Sequence, residues 1–181
     1  HASDFVYNTT HDKLGCWTTE FSRKFYEDNG FFLKKGGLEI CRKNDDARWE
    51  ELKRKVSSGK AFGTNVRLIS AAEAKEKFPL LEEDSIRGAM WDPDAGLVTP
   101  RSQDVVSFAV ETAKDKGALK TFTDTPALDF EIEDGKVVGV KTDKGIIKTD
   151  KVVIASGIWG PLMGKKAGVP VPLMPLEHPL L

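Results

Sequence analysis

Cysteine is scarce in this 181-residue chain: Cys16 and Cys41 stand far apart and form no C-x-x-C pair. That argues against a disulfide framework or a thiolate metal site and for two free or buried thiols in a cytoplasmic protein. Histidine is equally sparse. His1, His11 and His178 are too scattered to suggest zinc by spacing, so no metal site is expected. Charge of one sign is lacking as well. A formal net charge of −1 leaves no electrostatic footprint for nucleic acid or an anionic membrane. No apolar run approaches the roughly 20 residues of a membrane helix, and no signal-peptide core is seen. The dinucleotide fingerprint G-x-G-x-x-G is missing too.

What is present is an ordinary globular composition, 40% hydrophobic and 30% charged, which excludes wholesale disorder. The length suits one domain, or a large one with an appendage. The chain opens HASDFVYNTTHDK without Met and ends PLEHPLL without a closing element. Both ends suggest a piece of a larger protein.

Leu14, Trp17, Phe21 and Phe25 recur at helical spacing and end at Asn29-Gly30, predicting an amphipathic helix with a core-facing stripe. Gly36-Gly37 signals a turn into a short strand, Leu38 to Cys41. Asp45 or Asp46 caps a charged helix whose buried stripe is Trp49, Leu52 and Val56, its charged residues forming a solvated face. A strand then leads to Ser70, with Glu73 three residues on, a capping box opening a short helix stopped by Pro79. SIRGAMW reads as a strand, with a turn at Asp92-Pro93-Asp94 and a loop after it. Trp91 belongs to the core or to a substrate-facing strand end. Residues 101–117 form a helix with Val105, Phe108, Ala109 and Thr112 on one face and Gly117 as its stop. Asp134-Gly135 and Asp143-Lys144-Gly145 then join a three-stranded meander.

The meander feeds DKVVIASGIWGPLMG, an apolar strand, a small-residue turn and a helix. Small residues at a strand's end let a ligand approach closely, and the next helix offers free N–H groups. Gly157 and Gly160 equally suit a plain, tight strand–helix connection. The absence of regular βαβ alternation argues against a doubly wound sheet within this chain. The expected class is α+β: a mixed or antiparallel sheet with helices on one face, plus a β-meander and strand-turn-helix.

Five pieces in order carry a resemblance: VRLISAAEAKEKFPLL, GAMWDPDAGLVTP, the meander, the Ala-Ser-Gly-x-Trp turn and AGVPVPLMPLEH. Together they resemble the D-amino-acid oxidase-like flavoenzymes, within them the dimethylglycine and sarcosine oxidases and dehydrogenases, over essentially the whole chain. The resemblance implies FAD as cofactor and divides the chain into four parts. Residues 1–30 would join a Rossmann unit lying upstream, 31–120 would belong to the substrate-binding domain, 121–169 to the FAD-binding domain, and 170–181 would begin a second substrate-domain segment. His1-Ala2 resembles the pair whose His is bonded covalently to the flavin, although Asp4 stands where Gly is usual, and a leading His-Ala-Ser is also what a cloning tag leaves behind.

By the same resemblance Ala127, Ala155, Ser156, Gly157 and Trp159 bind cofactor, Ala127 through its backbone. His178 would be the catalytic group, taking a proton from the substrate ammonium or orienting it, although Pro179-Leu180-Leu181 departs from the usual continuation. Without the resemblance, His178 is a solvent-exposed residue of a Pro-rich tail. The implied reaction moves hydride from an N-methyl carbon of a small amino acid to FAD. The implied partners are the amine, tetrahydrofolate for the one-carbon unit, and oxygen or an electron-transfer flavoprotein for reoxidation. A eukaryotic source would place the protein in the mitochondrial matrix. A D-amino-acid, glycine or glycerol-3-phosphate oxidase-like enzyme is the alternative, as is a non-catalytic module retaining the fold.

Overall fold

A computed structural model describes residues 4–7 and 12–176. The class is α+β, with three small antiparallel sheets in two compact units, His1–Leu119 and Lys120–Leu181.

In the first unit, Phe5–Val6 (β1), Phe32–Lys34 (β2) and Gly96–Val98 (β6) form one sheet in the order β1-β6-β2. The stretch after Asp94, expected as a loop, is thus a strand. Its partners lie far away in sequence, so no local pattern announces it. The main sheet has the order β3-β5-β4, from Gly37–Arg42 (β3), Arg67–Ser70 (β4) and Ile86–Asp92 (β5). Asp46–Ala61 (α2) starts where the Asp45 side chain accepts the Arg48 N–H at 2.9 Å. Ala71–Lys77 (α3) starts at Ser70, and the capping box with Glu73 forms in both directions.

The helices do not share one face of this sheet. Leu52 and Val56 of α2 pack on Cys41 and Met90, with Trp49 and Leu68 beside them. Ala74 of α3 packs on Ile69 and Ala89, with Leu38 and Trp91 beside them. Met90 and Ala89 are neighbours on β5, and neighbouring strand residues point to opposite faces. The expectation of one covered face is therefore corrected: β5 is buried from both sides. Trp91 is a partly buried member of the second cluster, and Lys77 lies 4.3 Å from its ring centroid.

The charged face of α2 also differs from expectation. Lys55 is buried and donates to both carboxylate oxygens of Glu39 on β3, at 2.9 and 2.7 Å, and Arg48 donates to the same carboxylate. Glu39 lies on the α2 side of the sheet, so these cations must fold inward to neutralise it.

Lys13–Asp28 (α1) begins at Asp12 and ends at Asn29-Gly30 as the sequence predicts, Gly30 taking a φ of 76°. Its aromatic stripe is not core along its length. Phe25 meets Phe108 of Ser102–Asp115 (α4) at 6.3 Å between ring centroids, and Phe31 meets the same ring at 5.2 Å. Trp17 and Phe21 stack on each other but stay exposed, at 62% and 64%. The buried side of α1 carries Cys16 and Arg23 instead, Arg23 being paired with Glu20 and Glu27. Both cysteines are buried free thiols, and burial pushes the Cys41 thiol up.

The second unit is the meander Ala127–Glu133 (β7), Lys136–Thr142 (β8) and Gly145–Lys148 (β9), in sequential antiparallel order. A short helix, Gly160–Lys166 (α5), follows a single 3-10 turn at Gly157–Trp159. The expected strand at Val152–Ile154 pairs with no strand among the described residues. Its apolar, β-branched composition suits a strand, but a strand exists only where a neighbour accepts its hydrogen bonds.

Candidate functional site

The residues singled out in the second unit converge. Ala127 begins β7, more than twenty positions before the Ala155-Ser156-Gly157 turn, yet both lie along one open trough of about 870 Å³. Phe130 and Val140 form its floor. They face each other across β7 and β8, and Phe130 is the buried large side chain of the meander. Val152, Ile154, Trp159, Leu162 and Met163 line it as well. Trp159 is 61% exposed, so its ring is a surface of the trough rather than a core anchor.

Local geometry explains the shape. Gly157 has a φ of 54°, and a Cβ there would meet nothing within 4 Å, so glycine serves the backbone of the turn and not a close contact. Gly164 has the opposite reason. A Cβ there would lie 2.5 Å from Val171 and 2.7 Å from the Val169 carbonyl oxygen, so α5 rests directly on the following segment. Pro161 sits in the first turn of α5, where its missing N–H costs nothing.

Two features set the chemistry. The walls are predominantly apolar, with Lys166 the charged residue among those lining the trough. The Ser156 hydroxyl is buried and has no hydrogen-bond partner among the described residues. A buried hydroxyl without a partner is costly, and a ligand that hydrogen-bonds there removes the cost. Apolar walls, an exposed indole and one orphaned hydroxyl fit the flat rings of FAD. They make no phosphate cradle, and α5, at seven residues, is too short to supply one through its dipole.

His1, His11 and His178 lie outside the described residues. No group of His, Cys, Asp or Glu able to hold a metal occurs among the described residues. No helix there is long and apolar enough to cross a membrane. Sequence reasoning missed Phe130, Val140, Leu162 and Met163. Helical spacing after Trp159 offered a signal for Leu162 and Met163. Val140 had none, because the β7–β8 register shifts between Glu131 and Ile132.

Comparison with known proteins places these features in a family. Mitochondrial sarcosine dehydrogenase from Homo sapiens is 32% identical over 170 residues, covering 87% of this chain and 17% of that protein. The mitochondrial pyruvate dehydrogenase phosphatase regulatory subunit from Mus musculus is 27% identical over 177 residues, 95% of this chain and 20% of that one. The crystal structure of L-proline dehydrogenase from P. horikoshii superposes with a TM-score of 0.76 at 34% identity, covering 91% of this chain and 44% of that one. The chain thus spans less than half the length of each protein it matches here. The family model described as FAD dependent oxidoreductase (DAO) matches residues 7–181. A match that takes in the meander and its trough as well as the sheet of the first unit is decisive: the chain belongs to the FAD dependent oxidoreductase family.

Proposed function

We propose that this chain forms part of a flavoprotein that oxidises a secondary or tertiary N-methyl amino acid of the sarcosine or dimethylglycine kind. The observation that carries the reading is the trough of the second unit, where Ala127, Ala155, Ser156, Gly157 and Trp159 lie together in a family defined by FAD. The likeness to sarcosine dehydrogenase supports the choice of amine.

FAD, when bound, supplies the two-electron acceptor. The chain's residues do the rest. Trp159 and the Val152–Ile154 segment shield the rings from water, and the Ser156 hydroxyl fixes their orientation. Ala127 contributes its backbone. His1 tethers the cofactor covalently. His178 holds the proton released when the substrate ammonium becomes a neutral amine, a role suited to an imidazole titrating near neutral pH. Residues 31–120 bear the substrate side and 121–169 the cofactor side, with 1–30 joining them to a nucleotide-binding unit and 170–181 returning to the substrate side. The chain by itself is inactive on this reading. Tetrahydrofolate and an electron-transfer flavoprotein are the proposed partners, in the mitochondrial matrix for a eukaryotic source and in the cytoplasm otherwise.

The test is spectroscopic. The protein at its native length is expected to carry flavin absorbance, to keep the colour on its polypeptide after acid precipitation, and to bleach when given sarcosine or dimethylglycine without oxygen. Trp159→Ala is expected to weaken flavin binding about fivefold, the worth of one aromatic contact. Flavin released by acid, with bleaching by D-amino acids, glycine or glycerol 3-phosphate instead, transfers the protein to the alternative enzyme class. A protein without flavin supports a non-catalytic module, a reading favoured by the likeness to a regulatory subunit.

A further inference from the structure

A cavity of about 200 Å³ lies wholly within the first unit, on the α2 side of the main sheet. Strand pairing fixes its base. Gly37 stands opposite Asp92, and Glu39 opposite Met90, across β3 and β5, and residues two apart on a strand share a face. Lys55 of α2 lines it too, as do Phe5 and Tyr7, whose ring centroids are 5.9 Å apart. A Cβ on Gly37 would lie 2.7 Å from Cζ of Phe5, so glycine is what lets that ring rest so close to β3.

The lining selects the charge of its occupant. Two carboxylates, Glu39 and Asp92, stand against one ammonium, that of Lys55. The ammonium is already turned to Glu39, donating to both of its oxygens at 2.9 and 2.7 Å. An incoming anion would therefore meet two like charges and a cation engaged elsewhere. Asp92 is 2% exposed and accepts the Asp94 N–H at 3.0 Å. A carboxylate so withdrawn from water attracts a cation more strongly than an exposed one does. The aromatic residues add a second preference, because ring faces attract cations and suit methylated ammonium groups above all. Lys55 Nζ, 5.9 Å from the Tyr7 ring centroid, already makes a contact of this kind.

We propose that this cavity binds a small methylated ammonium cation, with Asp92 and Tyr7 as its specificity-determining residues. That the cation is the amine end of the substrate rests on the oxidation proposed above; the preference of the cavity does not.

The test uses the native-length protein, dimethylammonium chloride as the probe and sodium acetate as the anionic control, in titration calorimetry. Hydrogen exchange on the wild type locates the binding, with slowing expected at Gly37–Glu39 and Met90–Asp92. Asp92→Asn removes the charge but keeps an oxygen for the Asp94 N–H, and is expected to weaken binding about tenfold, the worth of one charged hydrogen bond. Tyr7→Leu, at a half-exposed position, is expected to weaken it about fivefold, and Tyr7→Phe to bind as the wild type does. Acetate binding as well as dimethylammonium, a wild type that binds no dimethylammonium, or slowing confined to other segments each overturn the site. So does unchanged affinity in both Asp92→Asn and Tyr7→Leu. Turnover of sarcosine reads the link to the substrate. A raised KM in those two variants with kcat little changed supports it, and an unchanged KM despite weakened dimethylammonium binding overturns it. Dimethylammonium binding at the cavity of a protein that sarcosine does not bleach overturns the oxidation reading and leaves the site standing.

Discussion

The central strands of the two larger sheets, β5 and β8, show how differently the same arrangement is completed. Both have a hydrogen-bonded neighbour on each side. On β5, Gly88, Ala89 and Met90 are consecutively buried, because α2 covers one face and α3 the other. On β8 only Gly139 is fully buried, and the apolar side chains of its unit are largely exposed: Val153 at 89%, Leu162 at 60%, Met174 at 80%. The first unit closes a core with its own helices. The second concentrates its apolar area on a surface, which is the mark of a binding face.

Four expected outcomes sharpen or break that comparison. The largest is a matched pair of truncations. Phe130→Ala, in the second unit, is expected to cost about 3–5 kcal/mol and Leu52→Ala, in the first, about 2–5 kcal/mol, read as hydrogen exchange in β7–β8 and in α2–β5 respectively. A negligible cost for Phe130→Ala would mean that the meander has no core even at its one buried large side chain. Next is Gly88→Ala. A Cβ there would sit 2.6 Å from the Ile69 carbonyl oxygen and 3.0 Å from the Trp49 ring, so overpacking of about 1–3 kcal/mol is expected as a lowered denaturation midpoint. An unchanged midpoint would show that the sheet under α2 yields easily.

Ser70→Ala removes the cap of α3 and should cost about 1 kcal/mol, visible as faster exchange in the first turn of that helix. The smallest effect is that of pH. The carboxyl of Glu73 is held below the usual carboxylate range by the Ser70 N–H and Arg67. For Asp94, burial pushes upward, but hydrogen bonds from Lys34 and Asn65 prevail and the net direction is down. Groups lowered by folding stabilise above their unfolded pKa, and that stability is lost as pH falls through the folded value. The first unit should therefore weaken on acidification below about pH 4. Lys148, raised by its Glu131 partner in the meander, has the opposite sign: its contribution is present below the unfolded pKa and fades as pH rises through the folded one. A denaturation series across pH, followed by exchange in each unit, checks both signs.

Much of the local structure was legible. Asp45 before its helix, the Ser70–Glu73 box, Asn29-Gly30 and Asp134-Gly135 all act within a few residues, and each boundary stands where those residues put it. The turn Ala155-Ser156-Gly157 was legible as a site candidate for the same reason. What lay beyond reach was register and every choice of a distant partner. The hairpin at Asp134-Gly135 implies that Phe130 opposes Gly139; the bulge after Glu131 moves it opposite Val140, and so decides what floors the trough. Trp17 and Phe21 have the spacing of a core stripe, but periodicity names a face and does not supply what covers it.

The sequence by itself determined the elements, their caps and turns, the α+β class and the family resemblance, because these depend on interactions between near neighbours or on order along the chain. Only the tertiary structure decided that α2 and α3 take opposite faces of one sheet, that Asp4 caps a helix 98 residues away, and that Ala127 shares a trough with Trp159. Each of those joins distant segments, and such contacts are selected by packing and by the need to satisfy buried polar groups, which no short stretch of sequence expresses.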